Sequence, residues 1–124
     1  MPVMKPEDMG QSFAEAFNSG NVDAVLALYE SNAVLVPQPG QLASGRDAIR
    51  EALKGLLALK GKLAIESRYC IRGGDTALTS SKWSLRGTAP DGKPIEMGGK
   101  SAEVVRRQAD GRWLYILDHP FGAD

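Results

Sequence analysis

Three side chains in this sequence have the chemistry to move a proton in one place. Asp118 and His119, the only histidine, stand side by side in "RRQADGRWLYILDHP", and Glu103 lies upstream in "SAEVV". An aspartate that orients a histidine makes a general base. Two carboxyls in an apolar cavity make a different device, because burial and mutual repulsion keep one protonated while the other ionises. Which device is open depends on the faces these residues occupy. Neighbours on a regular strand point to opposite faces, so Asp118 and His119 cannot share one site there. His119 then reads as a surface or interface residue at a strand end. Glu103 and Asp118 have the residue types for the second device if the fold turns both to one face; the plainer alternative is a salt bridge to Arg107 or a solvated position.

The elements that would hold them follow a lopsided order. Met9, Phe13, Ala16 and Phe17 recur at helical spacing from Pro6 to Ser19, and "NSGN" closes that helix. A short second helix carries Val22, Val25, Leu28 and Tyr29, with Asn21 or Asp23 as its N-cap. Ala33–Val36 is a short strand stopped by Pro37 and Pro39. "SGRDAIREALKGLLALKG" is the best helix, with Ser44 and Asp47 resembling a capping box and Gly61 as its terminator. After Gly61 the period becomes two. Strands run from Leu63 to "RGGD", through "TALTSSKWSLRG", through a long "IEMGGKSAEVVRRQ" with a bulge or bend at Gly98-Gly99, and through "RWLYILDH". Helices followed by hairpin-linked strands give an α+β fold in which the helices cover one face of an antiparallel sheet.

Bulk properties set the limits. The 124 residues fit one domain spanning 1–124, with 43% hydrophobic and 24% charged residues, the composition of a soluble globular protein. Fifteen basic and fifteen acidic residues cancel, so no net field favours nucleic acid or an anionic membrane. One cysteine, Cys70, and one histidine cannot assemble a tetrahedral Cys/His zinc site or an internal disulfide. The expectation is therefore no metal, no cofactor, no nucleic-acid partner and no membrane partner. "MPVMKPEDMG" lacks the apolar stretch of a signal peptide, which makes the cytoplasm the expected location.

The segments "NSGNVDAVLALYESNAVLV", "GRDAIREAL" and "RRQADGRW" resemble the SnoaL-like, ketosteroid-isomerase-like branch of the NTF2-like superfamily, over about Met9 to Pro120. The resemblance implies a cone: N-terminal helices packed in a strongly curved antiparallel sheet around an apolar pocket, usually in a homodimer formed by the outer sheet face. It fixes no function, because the fold carries isomerases, cyclases, dehydratases, epoxide hydrolases and non-catalytic binders. In ketosteroid isomerases a tyrosine and a protonated acid form an oxyanion hole and an aspartate is the base. By the motif alignment these roles fall on Phe13, on or near Glu103, and on Pro37. Phe13 has no hydroxyl and Pro37 cannot accept a proton, so steroid isomerisation by that mechanism is excluded. The histidine-dependent dehydratase pattern is not met by His119 alone. The Asp-Arg-Asp pattern of epoxide hydrolases is matched only in composition, by Asp118, Arg107 and Glu103.

The same alignment turns Ile116 and Asp118 into the pocket, with Glu103, Val105 and Arg107 on the next strand. Trp113 and Tyr115 then form an outward aromatic face suited to a dimer interface. Trp83, sharing a face with Ser81 and Leu85, is expected on the pocket wall or in the core. Tyr29 reads either as a pocket hydroxyl or as packing, and Gln38 and Gln41 sit in a loop over the rim. The expected ligand is a small apolar or mixed-polarity molecule. The protein then acts on it as a cofactor-independent isomerase, cyclase or hydrolase through Glu103 and Asp118, or simply binds it.

Overall fold

The computed structural model describes residues 2–124. A 3-10 turn, Pro6–Asp8, leads into α1 (Met9–Asn18), α2 (Val22–Leu26), β1 (Tyr29–Leu35), β2 (Ala43–Ser44) and α3 (Arg46–Leu57). Five strands follow: β3 (Lys62–Gly73), β4 (Thr76–Thr88), β5 (Pro94–Lys100), β6 (Ala102–Arg107) and β7 (Trp113–His119). The sheet order is β2-β1-β7-β6-β4-β3, with β5 also paired to β4. The architecture is α+β, an open curved sheet with the helices on its concave side. The sheet is not wholly antiparallel, because β1 runs parallel to β7.

Of the three α-helices only α2 carries a side-chain N-cap. Asn21 Oδ1 accepts from Asp23 N (2.9 Å) and Ala24 N (3.4 Å) and caps α2. Ser44 does not cap α3. That position belongs to Gly45 at φ 85°, which turns the chain from β2 directly into the helix with no side-chain cap. The second helix stops at Leu26, so Tyr29 opens β1 rather than closing a helix. Asn18 pins the end of α1 to β3, its Nδ2 donating to Leu63 O (2.9 Å) and its Oδ1 accepting from Leu63 N (2.8 Å). That clamp fixes where Phe13 and Phe17 meet the sheet.

The long third strand is two strands. The break falls at Ser101, whose backbone N–H donates to Ser81 O (2.8 Å), and not at Gly98-Gly99, which lie inside β5. Gly98 has a packing reason: a Cβ there would meet Trp83 O at 2.6 Å. Both pieces pair with the same edge of β4, β5 with its later half and β6 with its earlier half.

One bulge decides the faces of β7. Val105 is opposite Tyr115 and Val104 is opposite Leu117, which leaves Ile116 as an extra residue. Trp113 (1% exposed) and Tyr115 (4%) therefore face the core, Leu117 (49%) faces out, and Asp118 (6%) turns back inward. The outward aromatic face expected from strict alternation does not exist. Trp113 is packed inside, with the Arg72 guanidinium 5.1 Å from its ring centroid.

Candidate functional site

The concave side of the sheet and the helices enclose a cavity of about 90 Å³. Its aromatic wall comes from α1, β1 and β7. Tyr29 and Tyr115 lie 5.3 Å apart by ring centroid, with Phe13 edge-on to both at 6.4 and 5.9 Å. Leucines of α3 and β3 continue the apolar lining. At the far end Trp83 Nε1 donates to Pro120 O (2.7 Å), and the Phe121 ring stands edge-on to Trp83 at 5.5 Å. The segment after β7 is held there by Ala123 N donating to Lys100 O (3.0 Å).

Two carboxyls project into this lining. Glu103 on β6 and Asp118 on β7 are direct partners in the antiparallel register, both are buried, and both line the cavity. Side chains in such a pair start from Cβ atoms only about 5 Å apart. Each has its own donor. The Thr79 hydroxyl donates to Glu103 Oε1 at 2.9 Å, and the Tyr29 hydroxyl donates to Asp118 Oδ2 at 2.5 Å. Burial first, and then the charge of Asp118, push the Glu103 carboxyl up to about 8. Burial also raises Asp118, to about 6, while the Tyr29 hydroxyl opposes the rise. Near neutral pH the proton sits on Glu103 and the charge on Asp118, because the phenol stabilises a carboxylate next to it. Tyr29 and Tyr115 are raised well above the phenol range, by burial and by these acids, and stay protonated. The site therefore holds a neutral acid, a carboxylate and a phenol in apolar surroundings, the equipment for proton transfer to and from a bound molecule.

Other expected site residues fall on both sides of the line. Phe13, Tyr29 and Trp83 line the cavity, and so does Pro37, which offers no base. Ile116 does not, because it is the bulge residue. Gln38 is exposed in its loop and outside the lining, and Gln41 is exposed as well. Arg107 points away from the acids and pairs with Asp75 at 2.5 Å, so it completes no Asp-Arg-Asp arrangement. His119 lies outside the cavity, and its Nδ1 accepts from Phe121 N at 3.3 Å. Among the described residues no cluster of three or more His, Cys, Asp or Glu is placed to hold a metal ion, and no helix is long and apolar enough to cross a membrane.

Sequence reasoning missed Tyr115, Thr79 and Phe121. Tyr115 was hidden by the bulge. Thr79 was within reach, since it sits two residues before Ser81 on the face already assigned to Trp83 and Leu85. Nothing in the local pattern marks Phe121.

The model of the SnoaL-like domain matches residues 11–116, a span that contains most of α1, all of α2 and α3, and the cavity wall as far as Tyr115; Glu103 lies inside it and Asp118 just beyond it. The chain belongs to the SnoaL-like family. The comparison with curated proteins gives no match. Among solved structures this SnoaL-like chain is similar to an NTF2-like superfamily protein from Salmonella enterica (13% identity, 91% of this chain and 84% of that one, TM-score 0.80). It is also similar to a ketosteroid isomerase-like protein from Erwinia carotovora (23% identity, 91% and 89%, TM-score 0.79). A third is SalBIII, an epoxide hydrolase/cyclase-like enzyme of pyran ring formation in salinomycin (17% identity, 92% and 87%, TM-score 0.70). At these identities the likeness establishes the NTF2-like fold and nothing about the reaction.

Proposed function

We propose that this SnoaL-like protein binds a small, mostly apolar molecule carrying a carbonyl or epoxide oxygen and moves a proton on it without a cofactor. Asp118 is the base and Glu103 the acid. In an isomerisation, Asp118 takes a proton from one carbon while Glu103 gives one to the oxygen; Asp118 then returns its proton at another carbon as Glu103 takes its own back from the enol oxygen. In a cyclisation, Asp118 takes the proton of the attacking hydroxyl as Glu103 protonates the epoxide oxygen that leaves. Phe13, Tyr29, Trp83 and Tyr115 would pack the ligand. The observation that carries the reading is the pairing of two buried carboxyls with unequal partners, Thr79 for one and the Tyr29 phenol for the other. SalBIII, named for epoxide hydrolase/cyclase-like chemistry, is built on the same fold.

The test is exchange of carbon-bound protons for deuterium in a panel of small cyclic ketones, followed by NMR at neutral pH, with ring opening of small epoxides measured alongside. The expected result is turnover of at least one compound that falls 10²–10⁴-fold in Asp118→Asn, the usual worth of a general base. A compound that binds in the cavity and is turned over equally by the protein and by Asp118→Asn would remove Asp118 from the chemistry. Binding without turnover across the panel would favour the second reading, a ligand-binding member of the fold. Phe13 and Pro37, inert at two positions where ketosteroid isomerases keep catalytic groups, favour it too.

We also infer a homodimer, through a different surface from the Trp113 and Tyr115 face. Register pairs carry an apolar row across the convex side: Ile71 opposite Leu78, Leu78 opposite Val104, Val104 opposite Leu117, and Leu117 opposite Val34. Ile71 (61%), Leu78 (42%) and Leu117 (49%) are exposed in the single chain and lie in one row, a contiguous apolar patch of the kind that marks an interaction surface. In sedimentation the protein should run at twice its 13.3 kDa, and Leu78→Glu with Leu117→Glu should return it to the monomer mass. A wild type that stays monomeric at tens of micromolar would discard the interface.

A further inference from the structure

Glu103 is reached from two sides. One side is the apolar cavity. On the other, a second cleft of about 80 Å³ lies between the Pro6–Asp8 turn, the start of α1 and the middle of β3. Its lining is polar where the first is apolar: Glu7, Gln11, Ser67 and Thr79 face it, together with Ser81 and Glu103 itself. The Thr79 hydroxyl that donates to Glu103 Oε1 belongs to this cleft and not to the cavity. The two spaces share Gly10, Ile65, Ser81 and Glu103. A Cβ on Gly10 would lie 3.1 Å from Ile65 Cγ2 and 3.4 Å from Ser81 Oγ, so the partition at this point is bare helix backbone against two side chains.

The cleft has the room and the partners for water. A single water needs only about 10–15 Å³ and two to four polar neighbours. The need for such a route comes from the chemistry. A cyclisation leaves Glu103 without its proton and Asp118 with one, so the acid must be reloaded before the next turnover, and an apolar ligand filling the cone excludes water from that side. We propose that the cleft between the Pro6–Asp8 turn and β3 is a separate aqueous inlet to Glu103, supplying water and protons past Thr79 while the cone admits the ligand. This rests on Glu103 being the acid of the proposed reaction. The titratable groups around it are Asp118 and Tyr115 from β7 and Tyr29 from β1. On the cleft side they are Tyr69 and Cys70 from β3 and Glu7 from the 3-10 turn, whose exposed carboxylate sits 3.9 Å from the Cys70 thiol.

Water-selective NMR on the intact protein, with and without xenon pressure, tests the inlet without needing a substrate. Xenon fills dry apolar space and should shift the cavity methyls of Leu53, Leu63 and Leu85. The expected result is that water cross-peaks to the Thr79 methyl and the Glu103 side-chain methylenes persist under xenon. Ser67→Leu, an exposed position at the cleft, should abolish them and leave the cavity methyls unmoved. Thr79→Val keeps the shape and removes the hydroxyl. It should retain the water contact to Glu103 and move that carboxyl's midpoint further up, since the lost hydrogen bond had favoured the charged form. Absent cross-peaks at Thr79, or their loss under xenon alone, would overturn the inlet. Intact water contacts beside a Glu103 that titrates near its ordinary 4.5 would instead overturn the acid, and with it the proton supply, so the two failures read differently.

Discussion

Wild-type protein should lose stability steadily as pH rises from about 5 to 8, and Glu103→Gln should flatten that decline. In the unfolded chain Glu103 ionises near its ordinary 4.5; in the fold its carboxyl is pushed up to about 8. Across that window the folded state holds a proton that the unfolded state has lost, so each rising pH unit favours unfolding by about 1.4 kcal/mol until the folded carboxyl also ionises. Below about 4.5 both states are protonated and the penalty is absent. Above about 8 it is complete. Asp118, raised from 3.8 to about 6, adds a smaller contribution of the same sign at the acidic end. Integrated over the window, Glu103 removes several kcal/mol, a large share of the 5–15 kcal/mol that holds a domain of this kind. The measurement is urea unfolding at half-unit pH steps for both proteins. Their difference isolates Glu103, with the Gln variant the more stable above pH 8. Parallel curves would mean that Glu103 titrates as a solvated acid, and the acid–base pairing with Asp118 would fall with it.

Trp113→Ala should destabilise the monomer by about 3–5 kcal/mol, while Leu117→Ala should change it by no more than about 0.5 kcal/mol. Trp113 is 1% exposed in the main core with Val105, and its removal leaves a cavity bounded by rigid strands. It also takes away the ring beneath the Arg72 guanidinium. Leu117 is half-exposed on the convex face, and a truncation there leaves water where water already was. Denaturant unfolding at a concentration where the chain is monomeric separates the two. The contrast matters because unbroken alternation along β7 predicts the same side for Trp113, Tyr115 and Leu117. Equal losses at 113 and 117 would restore that reading, remove the bulge at Ile116 and leave Tyr115 or Asp118 outside the cavity.

The amino-acid sequence by itself determined the three helices and most of the strand regions, the α+β class and the resemblance that led to the family. Those signals are local. Helical spacing in α1 and α3, the Asn21 cap, and the Pro90-Asp91-Gly92 and Asp110-Gly111 turns are legible because each acts within a few residues. The pairing of Glu103 with the inner face was legible too, through the family pattern on β6. The tertiary structure decided the rest. Tyr115 and Asp118 are an odd number of positions apart, so a regular strand cannot turn both inward. Only the partner strand β6, by taking Leu117 opposite Val104 and Tyr115 opposite Val105, makes Ile116 the extra residue. Tyr29 reaches Asp118 because β1 lies parallel beside β7, a contact between distant segments that no local pattern encodes. The same holds for the unequal acids. The residue types promise two carboxylates, but burial, the charge of Asp118 beside Glu103 and the Tyr29 phenol beside Asp118, brought together from three strands, decide which keeps its proton.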